Sequence, residues 1–140
     1  MSSDEEVIRK LYAASDERAT VVNKIASMFS CEGYMWDMVA GMKFRGQAIG
    51  ESIAGFARAF PDVRRELLNV YVAQNVIIVE LATRGTHIGE LPLPAGALAP
   101  TGKSIDVPSC DVFHLGEGAK ITSFHCYREA AVMQRQLGVG

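Results

Sequence analysis

Long apolar runs are missing from this 140-residue sequence, and no stretch approaches the length of a membrane span. Its start, Met1-Ser2-Ser3-Asp4-Glu5-Glu6, is acidic and unlike a secretory signal, so a cytoplasmic location and no membrane partner are expected. Dense basic clusters are also absent. Lys and Arg number 14 against 16 Asp and Glu, and the formal net charge of −2 argues against nucleic acid. Cysteine is scarce: Cys31, Cys110 and Cys126 are odd in number and widely spaced. In a reducing compartment they read as small buried hydrophobes rather than a disulfide framework. The three histidines, His87, His114 and His125, include no pair at ligand spacing, so no metal site is expected. Repeats, low-complexity tracts and linkers are lacking too. What remains is a chain with 49% apolar and 21% charged residues, read as one globular domain over 1–140 with a single core.

Periodicity divides the chain in two. Ser3-Asp4-Glu5-Glu6 offers a helix start, followed by Val7, Ile8, Leu11 and Tyr12 on one face. Ser15-Asp16-Glu17 opens a second helix with Val21, Val22, Ile25, Met28 and Phe29 as its apolar stripe, which Gly33 interrupts. Tyr34 to Met38 and Gly41 to Gly46 read as short extended pieces. A third helix carries Ile49, Ile53, Phe56 and Phe60, and Pro61-Asp62 stops it. From Val63 onward the period changes to two. Val63 to Ala73 and Val76 to Thr86 read as a hairpin about Gln74-Asn75, then residues 88–103 as a loop holding three prolines and three glycines. Ser104 to His114 and Lys120 to Tyr127 are further strands, and Arg128 to Leu137 a closing helix with Gly138 as its stop. Helices followed by hairpin-connected strands predict an α+β fold, with helices covering one face of a curved antiparallel sheet.

Asp111 is the chemical anomaly. It sits in Val107-Pro108-Ser109-Cys110-Asp111-Val112-Phe113-His114, a stretch that otherwise reads as a strand. A carboxylate buried there without a partner costs several kcal/mol, about the scale of its desolvation. It therefore faces water, pairs with a cation, or lines a pocket where proton transfer is wanted. Alternation puts Ser109, Asp111 and Phe113 on one face, and in the next strand Phe124 and Cys126 together, opposite Ser123, His125 and Tyr127.

Phe60-Pro61-Asp62, Arg84-Gly85-Thr86-His87-Ile88-Gly89, Pro100-Thr101-Gly102-Lys103, Asp111-Val112-Phe113, Lys120-Ile121 and Arg135-Gln136-Leu137-Gly138 occur in an order and spacing familiar from one family. The chain resembles the SnoaL-like polyketide cyclases of the nuclear transport factor 2-like superfamily, from about Met28 to its end. The resemblance implies a cone-shaped α+β sheet wrapped on N-terminal helices, an apolar pocket, and a homodimer formed through the sheet. It also implies cofactor-free cyclase or isomerase chemistry on a small hydrophobic carbonyl compound. The family's acid/base carboxylate on the last strand falls on Cys126 here, and its supporting positions fall on Ser109 and Asp111. This chain thus departs from the pattern at the acid/base itself.

With that register, Asp111 and Cys126 both look into the cone. Asp111 is either the acid/base or the counter-ion of an interior arginine such as Arg65. Cys126 is a proton donor or nucleophile if its thiolate is stabilised, and otherwise an inert wall. Trp36 is the candidate for stacking on a flat ligand, with Phe56, Phe113 and Phe124 packing around it. Asp37, on the opposite face from Trp36, reads as solvated or turn-capping. Arg65 and Asn69 share a face with Val63, Leu67 and Tyr71, as a pocket cation and its polar neighbour or as snorkelling residues at the sheet's edge. His87 either meets a ligand at the rim or stabilises the loop. The loop Leu91-Pro92-Leu93-Pro94-Ala95-Gly96-Ala97-Leu98 is a lid or a dimer contact. The alternative to catalysis is a binding protein for an apolar metabolite.

Overall fold

The structure, a computed structural model, describes residues 3–17, 22–93 and 96–139. The order is α1 (Ser3–Ser15), α2 (Val22–Ser27), β1 (Phe29–Asp37), β2 (Met42–Arg45), α3 (Gln47–Ala59), β3 (Arg64–Ala73), β4 (Val76–Thr86), β5 (Ser104–Leu115), β6 (Ile121–Arg128) and α4 (Ala130–Leu137). The six strands form one curved, open sheet in the order β2-β1-β6-β5-β4-β3. Neighbours are antiparallel except β1 and β6, which run parallel, so the sheet is mixed. Hydrophobic periodicity reports which face a residue takes but not the direction of strands that are distant in sequence, which is why this pair was not foreseen.

The core lies between the helices and the concave face. Ile8, Leu11 and Tyr12 of α1, Ile25 of α2, and Ile49 and Ile53 of α3 meet Ile77, Val79, Leu81, Phe113 and Phe124 of the sheet. A second cluster at the other end joins Phe56, Phe60 and Val63 to Leu91, Val107, Met133 and Leu137. Phe60-Pro61-Asp62 ends α3 as expected. Asp62 then accepts hydrogen bonds from the Thr86 amide (2.7 Å) and hydroxyl (2.8 Å), tying the helix end to the end of β4. Gly138 takes a left-handed conformation (φ 77°) after α4, the stop expected of it.

Four local readings change. Ser15 ends α1, its hydroxyl donating back to the Leu11 carbonyl (2.7 Å), instead of opening the second helix. Phe29 opens β1 instead of ending α2, because the Ile121 amide bonds to the Met28 carbonyl and draws the chain into the sheet. Gly33 lies within β1, at the irregularity of the β1–β6 register; a Cβ there would stand 2.7 Å from the Ile121 carbonyl oxygen. Arg128 is the last residue of β6, not the first of a helix. Val21 of the α2 stripe and Pro94 and Ala95 of the loop fall outside the described residues. No helix among the described residues is long and apolar enough to cross a membrane.

Candidate functional site

A cavity of about 480 Å³ opens between α1, α3 and the concave face of the sheet. Leu11, Met35, Phe44, Ile53, Phe56, Leu81, Phe124 and Met133 give it apolar walls, and Leu91, Pro92 and Leu93 reach it from the loop. That loop is pinched by paired backbone hydrogen bonds between Leu91 and Leu98, which hold its base against the cavity.

Asp111 is on the wall and only 4% exposed. Its Oδ2 accepts a 2.6 Å hydrogen bond from the Tyr12 hydroxyl, while Oδ1 is buried without a hydrogen-bond partner. Burial raises its pKa from 3.8 to about 6, against the Tyr12 hydrogen bond, the neighbouring Cys126 thiol and the charges of Arg128 and Arg65, which pull it down. Tyr12 is pushed upward in turn, by burial first and by the Asp111 charge second, so it remains a donor.

Strand register lays out the rest. Asp111 pairs across β5–β6 with Cys126, and Cys126 pairs across β6–β1 with Asp37, so a thiol stands between two carboxylates on one rung. All three line the cavity. Burial, then Asp111, drives the Cys126 pKa upward, so the thiol stays protonated and is a wall or a weak donor rather than a nucleophile. Asp37 is turn-capping as expected: its Oδ1 accepts from the Val39 (3.0 Å) and Ala40 (3.1 Å) amides. The next rung pairs Ser109 with Arg128; both line the cavity, and the buried Ser109 hydroxyl has no partner.

Arg65 reaches the cavity, but its charge is taken by Asp16, which bonds both its guanidinium and its backbone amide (2.9 Å). Asp111 is therefore not the counter-ion of Arg65. Phe56 and Phe124 line the cavity as expected. Phe113 is fully buried behind it, edge-on to Tyr12 with ring centroids 5.9 Å apart.

Three expected site residues lie elsewhere. Trp36 is on the outer face, edge-on to His125 with Lys43 over its ring at 4.5 Å. Met35 and Asp37 take the inward positions of β1, and alternation leaves Trp36 facing out. Asn69 faces out as well, donating to Glu80 beside the Tyr71 hydroxyl. A bulge at Leu68 is the cause: Leu67 pairs with Leu81 but Asn69 with Glu80, so one extra residue reverses every later side chain. His87 is fully buried against Phe60, its Nδ1 accepting from the Thr101 amide (3.1 Å), which makes it a loop anchor.

Two site residues escaped the sequence reading. Tyr12 falls on the apolar stripe of α1, and nothing local in the sequence links it to a carboxylate 99 positions away. Arg128 reads from sequence as the start of a helix, although the alternation Phe124, Cys126, Arg128 continues onto it.

The SnoaL-like domain family matches residues 8–124. The chain belongs to this family. Among curated proteins none matches. Solved structures agree on the fold. A Jannaschia sp. CCS1 protein assigned as a SnoaL-like polyketide cyclase superposes with a TM-score of 0.79 at 19% identity, over 98% of this chain and 93% of that one. IdmH of Streptomyces antibioticus, assigned as a polyketide cyclase, gives 0.79 at 16%, over 99% and 100%. A Catenulispora acidiphila protein with a ketosteroid isomerase-like fold gives 0.78 at 20%, over 96% and 94%. The family and the α+β, nuclear transport factor 2-like fold are those the sequence suggested.

Proposed function

We propose that this SnoaL-like protein is a cofactor-independent cyclase or isomerase acting on a small hydrophobic carbonyl compound by general acid/base chemistry. The observation that carries the reading is Asp111: buried, facing the cavity beside the Cys126 thiol, held at Oδ2 by Tyr12, with no hydrogen-bond partner at Oδ1. A carboxyl group whose pKa is raised to about 6 is mainly ionised at neutral pH yet more basic than an ordinary carboxylate. Oδ1 would take a proton from the carbon next to the carbonyl, leaving an enolate. Isomerisation returns that proton at another carbon. Cyclisation instead joins the enolate carbon to a second carbonyl of the same molecule, and the resulting alkoxide takes the proton back. Tyr12 fixes the carboxylate's orientation, while Cys126, Phe56 and Phe124 shape the wall beside it.

Deuterium exchange tests this without the natural substrate. The wild-type protein, incubated in D2O with a panel of aryl ketones and 1,3-diketones, should speed exchange of the α-protons of at least one compound, followed by NMR. Asp111→Asn should abolish that exchange while the same compound still binds. Binding with no exchange above the buffer rate in the wild type would leave the alternative, a non-catalytic carrier of an apolar metabolite.

Homodimerisation belongs to the proposal as well. The outer sheet face carries Trp36 and Tyr34 on β1, half-exposed Tyr127 on the neighbouring β6 and half-exposed Tyr71 on the edge strand β3, and sedimentation equilibrium measures whether two copies associate.

A further inference from the structure

Arg128 is one of several charged residues lining the cavity, with Arg58 and Glu51 of α3, and the proposed acid/base chemistry draws on it only through its charge near Asp111. It ends β6 on the same face as Phe124 and Cys126, and it lines the cavity. Its guanidinium lies over the Phe56 ring at 4.7 Å, which holds it in place from one side. Among the described residues no carboxylate pairs with it and no side chain or carbonyl accepts from it. Arg65 differs, being occupied by Asp16. A guanidinium carries five donors in a fixed fork suited to carboxylate, phosphate or sulfonate oxygens. Directly across the strand pair stands Ser109, whose buried hydroxyl also lacks a partner. Two neighbouring polar groups on one rung, both unsatisfied and both facing the cavity, describe a place for an oxygen-rich group.

We propose that the cavity takes an amphiphilic ligand, an apolar body bearing one anionic group, and that Arg128 with Ser109 binds that group. The inference deepens the proposed function by naming the ligand class, and it rests on the cavity being a ligand site. Two residues along a strand span about 6.5 Å. The anion on the Ser109–Arg128 rung therefore sits a few bonds from the carbon that faces Asp111. Arg128 acts as a positioning residue: it fixes which carbon of the ligand lies against Oδ1.

A pair of dyes separates the outcomes. 1-Anilinonaphthalene-8-sulfonate and N-phenyl-1-naphthylamine share one aryl amine body, and only the first carries a sulfonate. Both brighten in an apolar site. The wild-type protein should bind the sulfonate more tightly, and the preference should shrink as NaCl is raised. Arg128→Gln should lower sulfonate affinity roughly ten- to hundred-fold, as expected for a lost charge-assisted contact, and leave the neutral dye bound. Arg128→Lys should recover part of the preference, and Ser109→Ala should weaken it in the wild-type background. If both dyes bind but the sulfonate preference survives unchanged in Arg128→Gln, or is absent from the wild type, the anion site is refuted while the ligand cavity stands. Should Arg128→Gln not fold, the wild-type salt dependence and Ser109→Ala decide in its place. If neither dye binds, both this inference and the ligand reading of the cavity fall.

Discussion

Replacing Asp111 by Asn should make the protein's stability respond to pH in a way fixed by the geometry of the site. In the folded chain the carboxyl group titrates at about 6 instead of 3.8. Between those values the folded state holds a proton that the unfolded state has released. The Asp111 contribution to wild-type stability therefore falls as pH rises from about 4 to about 6, and stays lower above that. The shift amounts to about 3 kcal/mol, at roughly 1.36 kcal/mol per pKa unit. Asn cannot ionise, so it escapes this penalty. It brings its own cost, since one amide group enters the position where Oδ1 has no partner, about 1–3 kcal/mol, but that cost does not vary with pH. Carboxylates such as Asp62, whose Thr86 hydrogen bonds lower its pKa, titrate identically in both proteins and cancel in the difference. Urea unfolding of wild type and variant at intervals from pH 4 to 7.5 should show Asp111→Asn gaining about 2.5 kcal/mol relative to wild type across the range, the rest of the change lying below pH 4. The sign at any single pH is secondary; the slope is the test. Parallel stability profiles would show that Asp111 is not a buried acid facing an unoccupied position, and the proposed chemistry would lose its base.

Three further substitutions separate the cavity wall from the outer face. Tyr12→Phe removes the hydrogen bond that favours the ionised carboxyl, so the Asp111 pKa should move further up, read by carbon NMR of the side chain. Stability above pH 6 should drop by about 1.5–3 kcal/mol, the usual value of a hydrogen bond to a charged group, with a smaller loss below pH 4 where the carboxyl is neutral in both proteins. Trp36→Ala should leave affinity for N-phenyl-1-naphthylamine unchanged, since the indole is on the outer face, whereas Phe56→Leu should weaken it by about 1 kcal/mol; fluorescence titration distinguishes them.

Much of the fold was legible because it rests on local signals. The Pro61-Asp62 stop, the Gly138 terminus and the change from helical to two-residue periodicity at Val63 each have a short-range cause. Alternation grouped Ser109 with Asp111 and Phe124 with Cys126, and the family resemblance turned both sets inward, where all four line the cavity. Alternation failed where the backbone departs from it. Leu68 is one extra residue opposite β4, and it sent Asn69 and Tyr71 outward with no mark in composition. Long-range pairing was invisible for a different reason. Tyr12 meets Asp111, and Asp16 meets Arg65, across separations that sequence periodicity does not encode. The choice between Arg65 and an acid/base role for Asp111 depended on those two contacts.

The bulge at Leu68 has one more consequence, for the company the chain keeps. β3 is an edge strand ten residues long, with Leu68, Tyr71 and Val72 about half exposed, the kind of border onto which another chain's strand readily adds. The extra residue breaks the even row of donors and acceptors along that border. Deleting Leu68 would keep Asn69 opposite Glu80, and so every later side chain on its present face, while restoring the unbroken row. The cavity would survive such a deletion. The protein's resistance to edge-to-edge aggregation would not.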